Sequence, residues 1–517
     1  MLNKKFLKNT IAVGGLTFLS RISGLIRDFF VAKYLGAGML SDCFLTAFRI
    51  PNLFRSIFAE GAFNSAFIPI FSGILYGEDK HKAKEFCKSI FALLFYILLI
   101  FTLICELFMP QVVQIFAPGF SANQEKFALA VSLAKITFPF LFFIAMTSFF
   151  GSILNTLGNF KPYASTSIVL NLCIVLSLFA FATVAPNAAY AVSWGVFISG
   201  IIQLLWLFWV AKTYGFGIIS FKAKLTFPVV QFFKKIMPGI MGAGIYHLNI
   251  MIGSIFATST NGAVSWIYYA DRLNQLPLGV IGIAIATVLL PSLSKEIKKQ
   301  KFNKTKVIFN NSMKMASLLV IPCAIGMMAI SYPIIQIFFE RGEFKTSDTF
   351  ATTQILQILC LSLPALVYTK LYSNVFYARK DTKTPMITAG ISLLFNLFFT
   401  ITLTQKLSYI GVVLAITISN WIGFLLLYYI SYKNEFMYMY KRVLKDIFKI
   451  LILSCIMGIV IYLGTNGIIS DIESYSLFAR IMMLCFLIIF AVVFYFTSLF
   501  VFKVVNLETL KKYVKRS

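Results

Sequence analysis

Fourteen charged side chains fall inside stretches otherwise built from Phe, Leu, Ile and Val, and they are where this sequence has chemistry to offer. The cations are Arg21, Arg27, Arg49, Arg55, Lys135, Arg272, Lys314, Lys370 and Arg480; the acids are Asp28, Asp42, Glu60, Glu106 and Asp271. Lys314, Arg480 and Glu106 lie near the ends of their apolar stretches, from where a long side chain snorkels to an interface. The remainder is seven cations against four acids. A charge at mid-bilayer costs about 2.5–3.5 kcal/mol on insertion scales, so the surplus requires a water-filled cavity or an anionic ligand. Arginine dominates the N-terminal cluster, and a guanidinium fork grips phosphate oxygens bidentately without ever deprotonating. The expected chemistry is recognition of a phosphate-bearing or otherwise polyanionic molecule at membrane depth.

The elements that position these residues follow from composition. Of 517 residues, 59% are hydrophobic and 13% charged, which excludes a string of soluble domains and marks a polytopic membrane protein. A spanning helix needs about 20 mostly apolar residues. Cutting at polar and Pro/Gly punctuation gives fourteen spans: 9–34, 38–75, 86–109, 127–157, 163–183, 188–211, 236–258, 263–294, 307–338, 349–377, 385–404, 408–431, 443–464 and 476–502.

Charge tests the cutting. Of the 46 Lys and Arg, 32 lie on alternate connecting segments and termini, while the opposite set holds only Lys33, Lys126, Arg341, Lys345 and Lys406. The positive-inside rule then places both termini in the cytoplasm. The formal net charge of +27, which elsewhere suggests nucleic acid, is mainly a record of topology and of attraction to anionic lipid; no nucleic-acid partner is expected.

Weak internal matches recur at one offset. Pro69 near the end of span 2 corresponds to Pro291 in span 8; Lys161-Pro162 opens span 5 and Thr384-Pro385 opens span 11; Ala191, Val192 and Ser199 correspond to Gly411, Val412 and Ser419. The expected fold is all-α, two pseudo-symmetric six-helix lobes around a central cavity plus two C-terminal helices. The lobes are expected at 1–215 and 216–432, with 433–517 carrying spans 13 and 14 and a basic tail.

The same charges admit a structural reading, an internal salt-bridge network joining spans 1, 2 and 8. Arg27-Asp28 and Asp271-Arg272 are neighbours that leave a helix about 100° apart and are expected not to pair well. Arg21 with Asp28, and Asp42 with Arg49, share helix faces. Pro51 is expected to break span 2 between Arg49 and Arg55, and Gly14, Gly15 and Gly24 to loosen span 1. Lys135 reads equally as a residue reaching a polar seam, and Asn155, Asn171 and Asn396 as interhelical hydrogen-bond partners. The eight cysteines form no CxxC pair and read as packing residues. With two histidines and no Walker loop, GxSxG elbow or HExxH, neither a metal site, a cofactor nor an enzyme is expected.

The segments SRISGLIRD (20–28), GAGMLSDCFLTAFRIPNLFRSIFAEGAFNSAFIPIF (36–71), KITFPF (135–140), VSWIYYADRLNQLPLGVIGIAIATVLLPSLS (264–294) and DTKTP (381–385) closely resemble the bacterial MurJ (MviN) family of lipid II flippases. The resemblance runs from span 1 through span 12. It implies the multidrug/oligosaccharidyl-lipid/polysaccharide exporter fold, two lobes around a cationic cavity, with the last two helices offering a groove for the polyprenyl tail. The implied cargo is the undecaprenyl-pyrophosphate-linked disaccharide-pentapeptide of peptidoglycan synthesis, moved from the cytoplasmic to the periplasmic leaflet of the inner membrane.

Carried over by position, the family's essential arginines fall on Arg21, Arg27, Arg55 and Arg272, its span-2 acid on Asp42 and its span-10 lysine on Lys370. Asp28, Glu60 and Asp271 remain acidic candidates with structural or coupling roles, and Arg49 and Lys135 secondary cationic ones. Two departures stand out. Gln275 occupies a position where members often carry a carboxylate, and span 7 offers only His247 and Asn249, span 11 only Asn396, where some members bind sodium. The reading is alternating access driven by membrane potential or an ion gradient, with lipid II, membrane lipids and the cell-wall synthesis machinery as partners. The alternatives are a flippase for another polyprenyl-pyrophosphate-linked glycan and a multidrug/cation antiporter on the same fold, which the cation surplus opposes; a non-transporting scaffold has no need of seven deep cations.

Overall fold

A computed structural model describes residues 4–55, 61–77, 79–468 and 475–504, and within these all side chains except those of 4–13, 61–62, 237–250, 283 and 466–468. All regular elements among the described residues are helical, and helices lie on each expected span, with 38–75 represented by two, Met39–Arg55 and Gly61–Gly77, on either side of residues outside those described. Ten are long and apolar enough to cross a membrane, two of the expected spans being counted within one of them. The chain is a multi-pass membrane protein.

Packing divides it into two units. The first, Met1–Ser265 with Arg341–Phe344, holds α1 (Lys4–Leu35), α2 (Met39–Arg55), α3 (Gly61–Gly77), α4 (Lys80–Leu107), α5 (Met109–Phe116), a 3-10 turn (Pro118–Ala122), α6 (Gln124–Thr137), α7 (Phe140–Thr156), α8 (Lys161–Phe181), α9 (Ala188–Thr213) and α10 (Phe227–Ala257). Phenylalanine fills its core. Phe63, Phe67, Phe71, Phe149 and Phe232 are all buried, and the Phe67 ring meets Phe63, Phe71 and Phe149 at centroid distances of 5.3, 5.3 and 5.6 Å. Phe232 sets its edge against Phe63 at 5.4 Å, which fastens α10 to α3 and explains why the packing boundary falls after α10.

The second unit, Trp266–Glu340 with Lys345–Ser517, holds most of α11 (Ala263–Pro277), a π-helical turn (Leu278–Ile283), α12 (Ala284–Lys298), α13 (Phe302–Ala329), α14 (Ser331–Phe339), α15 (Thr346–Ala378), α16 (Lys383–Lys433), α17 (Lys441–Ile468) and α18 (Leu477–Val501). The long α16 is two helices joined at Ser408, where φ is 51° and ψ −135°. Gly411 lies so close to the returning strand of chain that a Cβ there would stand 2.4 Å from the Leu403 carbonyl, so only glycine fits.

Prolines inside helices reveal how the packing is wired. Pro51 does not break α2, which continues through Arg55. The N–H it lacks would have bonded the Ala47 carbonyl, and the Thr137 hydroxyl of α6 donates to that oxygen at 3.0 Å instead. Pro322 in α13 likewise releases the Leu318 carbonyl, which accepts from Tyr495 Oη of α18 at 3.0 Å. Each freed carbonyl becomes a bond between helices, the means by which membrane helices accommodate proline. The repeat-related prolines keep matching places: Pro69 and Pro291 sit within α3 and α12, and Pro162 and Pro385 in the opening turns of α8 and α16.

Candidate functional site

In the first unit, Arg27 and Asp28 are buried side by side on α1, with 6% and 2% exposure. They pair, contrary to the expectation from their position on the helix. Nε and Nη2 reach one carboxylate oxygen of Asp28 at 3.0 and 2.6 Å. The 100° between neighbouring Cα–Cβ bonds is overcome by the length of the arginine stem, which curls back onto its neighbour. Nη1 donates to Asn171 Oδ1 of α8 at 3.0 Å, and Asn171 Nδ2 donates to Ser23 Oγ at 2.9 Å and to the Ser20 carbonyl at 3.2 Å. Asn171 therefore acts as the interhelical partner its sequence context indicated, and it fixes the guanidinium's orientation.

Asp42 does not meet Arg49. Its fully buried carboxylate accepts from Lys126 Nζ at 2.8 Å, Gly262 N at 2.8 Å, Ser265 Oγ at 2.7 Å and Ser265 N at 3.0 Å. Lys126 Nζ also donates to Asn261 Oδ1 at 2.9 Å and stands 4.5 Å from the Phe120 ring centre. Read from the sequence as a loop cation, Lys126 is instead a buried residue of the first turn of α6, placed there by Asn123, whose side chain caps the Lys126 amide. This network joins α2, α6 and the α10–α11 connection with every carboxylate oxygen occupied, which is the geometry of a structural clamp.

Arg55 ends α2, half-buried, with Nε on Asn52 Oδ1 at 3.1 Å. It borders a cavity of about 260 Å³ between α1, α2, α7, α8 and α9. Arg49 is half-buried one and a half turns earlier, Arg21 is exposed on α1, and Lys135 is exposed on α6, close enough to act electrostatically on the half-buried Glu106 of α4. Glu60 and the side chains of His247 and Asn249 lie outside the described residues.

In the second unit, Arg272 is half-buried on α11 and held by one aromatic residue in two ways: Nη2 donates to Tyr268 Oη at 2.9 Å, and the guanidinium carbon lies 4.8 Å from the same ring's centre. Gln275 donates to Asp271 one turn away. Lys370 of α15 is half-buried and packs its stem toward Gly282 in the π-helical turn, 3.9 Å from where a Cβ on that glycine would sit. One turn on, Asn374 Nδ2 donates to the Ala286 carbonyl at 2.7 Å. Single π-helical turns inside helices are frequent at functional sites. Lys314 does more than snorkel: Nζ reaches Asp446 Oδ2 at 2.6 Å and the Val504 carbonyl at 3.0 Å, tying α13 to α17 and to the end of α18.

Among the described residues, no cluster of three or more His, Cys, Asp or Glu could hold a metal ion. The deep arginines Arg27 and Arg272 are held by hydrogen bonds, and Arg272 also by an aromatic face, one in each unit. Comparison with known proteins decides the family. The family model described as "Lipid II flippase MurJ" matches residues 31–501. The chain belongs to the MurJ family. A Rhizobium meliloti (strain 1021) member named "Probable lipid II flippase MurJ" is 36% identical over 516 residues, covering 98% of this chain and 96% of that protein. One from Rickettsia prowazekii (strain Madrid E), with the same name, is 33% identical over 514 residues, covering 98% and 99%. A solved structure titled "Lipid II flippase MurJ, inward closed conformation" superimposes with a TM-score of 0.80 at 29% identity, over 96% of this chain and all of that one. A multidrug resistance MATE family transporter of the MOP superfamily, solved inward-facing, gives 0.67 at 13% identity over 82% of this chain and 97% of that one, a likeness of fold alone.

Proposed function

We propose that this chain flips lipid II across the bacterial inner membrane by alternating access, with both termini in the cytoplasm. The observation that carries the reading is family membership across nearly the whole chain, joined to half-buried arginines, Arg55 and Arg272, at membrane depth. In this reading Arg55 of the first unit and Arg272 of the second each serve as a phosphate-gripping residue during transport, their forks suiting phosphate oxygens. Arg27, clasped by Asp28 and Asn171, contributes its field and a fixed donor geometry. Arg21 and Lys370 add positive potential along the path. The sugars and stem peptide cross with the pyrophosphate while the polyprenyl tail stays in lipid.

The cargo's charge supplies a role for membrane potential. Each full charge crossing 100 mV changes the energy by about 2.3 kcal/mol, so an inside-negative potential favours outward movement of a dianion by about twice that. An ion gradient is the other available drive. No catalytic group or cofactor enters this scheme, and the cell-wall synthesis machinery is its natural acceptor.

The test is replacement of the essential flippase of a model bacterium by this chain. Growth with lipid II in the outer leaflet is expected, and Arg55→Ala and Arg272→Ala should each abolish it while protein stays in the membrane. Failure to support growth despite good expression, with rescue of a strain lacking a different polyprenyl-pyrophosphate glycan flippase, would assign it the other cargo.

A further inference from the structure

The cavity beside Arg55 has a graded lining. Thr17 and Ser167 are exposed at one side and Arg55 is half-buried, whereas Thr166 and Gln203 are buried, with 6% and 1% exposure. Gln203 lies near the middle of α9, and its Nε2 has no hydrogen-bond partner. An unpartnered amide donor buried in a membrane helix is expensive to keep unless an acceptor reaches it. Its retention calls for an acceptor that arrives with a ligand.

The rest of the lining selects the kind of ligand. Phe140, Ile144 and Leu170 supply apolar wall, while Ser20 and Ser167 supply hydroxyls. A bare phosphate would be served by several cations; this cavity has one, at its half-buried edge, and otherwise offers neutral donors beside carbon surfaces. That combination matches a sugar ring, which presents C–H faces and oxygen-bearing edges. At about 260 Å³ the cavity holds roughly nine waters at ~30 Å³ each, the room of a single ring rather than of a disaccharide.

We infer that this cavity is a subsite for the sugar joined directly to the phosphate, with Gln203 Nε2 donating to one of its hydroxyl or amide-carbonyl oxygens while Arg55 holds the adjoining phosphate. The inference rests on the proposed function and adds to it the residue that reads the cargo's sugar.

The test compares two ligands, lipid II and sugar-free undecaprenyl pyrophosphate, binding to the purified full-length protein by native mass spectrometry. Gln203→Met keeps the shape and removes the donor. It should weaken lipid II binding about five- to tenfold, the loss of one hydrogen bond at the buried end of the cavity, and leave undecaprenyl pyrophosphate unchanged. The ligand-free thermal midpoint should not fall, since the orphaned donor has gone. Ser167→Leu, at the exposed side, should reproduce the selective loss by filling the cavity without touching the buried end. Unchanged lipid II binding in both variants overturns the subsite and leaves the flippase reading intact, as do equal losses for both ligands. Binding of neither ligand by the unaltered protein overturns both.

Discussion

Asp42 and Lys126 offer the most quantitative test of the packing. Both are buried, and the carboxylate receives four hydrogen bonds, one of them from the ammonium. Asp42→Ala strands the Lys126 charge with only the Asn261 amide oxygen and the Phe120 ring. Breaking a buried pair from one side costs about 3–5 kcal/mol. Lys126→Met leaves Asp42 with three donors and removes one charged hydrogen bond, worth about 1.5–3 kcal/mol. The double variant contains no orphaned charge, so adding Lys126→Met to Asp42→Ala should return about 1–3 kcal/mol of the first loss. Denaturation of the four purified proteins in one detergent, followed by the midpoint of unfolding, should rank Asp42→Ala lowest and the double variant above it. Additive losses, with the double variant least stable, would refute the claim that an uncompensated charge, rather than lost packing, sets the cost.

Two further outcomes follow from single contacts. Tyr268→Phe removes the hydroxyl that accepts from Arg272 but keeps the ring beneath the guanidinium, so lipid II binding should fall about fivefold; Tyr268→Ala removes both and should cost about another 0.5–2 kcal/mol. Equal effects of the two would show that only the hydroxyl matters. Gly342 has φ of +60° and its absent Cβ would stand 2.2 Å from the Lys33 carbonyl oxygen, next to the bond that Glu343 N donates to that same oxygen at 3.0 Å. Gly342→Ala should therefore lower the thermal midpoint through strain of about 1–3 kcal/mol together with loss of that bond, whereas Glu343→Ala, which keeps the backbone, should leave it nearly unchanged.

Much of this was legible in the sequence because membrane insertion prices charge and length so steeply. Helices lie on the expected stretches among the described residues, and of the seven cations isolated by charge alone, Arg27, Arg49, Arg55, Arg272 and Lys370 are buried or half-buried while Arg21 and Lys135 are exposed. What escaped was pairing. Arg27 reaches Asp28 because a four-atom stem can fold back across 100° of helix, which no face-sharing rule captures. Asp42 takes a partner 84 residues away, from a lysine that hydropathy assigned to a loop. Pro51 reads as a break in one dimension, yet the hydroxyl of Thr137 supplies the missing bond from another helix. Gln203 carries no charge and no motif; the one available signal was a lone amide in an apolar span, which is also what ordinary helix packing displays. Such partnerships are set by tertiary proximity, and periodicity carries no information about them.

The central claim, that the deep arginines carry a pyrophosphate-linked glycan across the membrane, is tested most directly by measuring lipid II in the outer leaflet. Cells depleted of their own flippase and expressing this chain would be treated with a membrane-impermeant reagent that modifies only exposed lipid II. The account predicts restored exposure with the unaltered chain and loss of exposure with Arg55→Ala or Arg272→Ala at equal membrane abundance. Restored exposure with both arginine variants, or none with the unaltered chain, would contradict it.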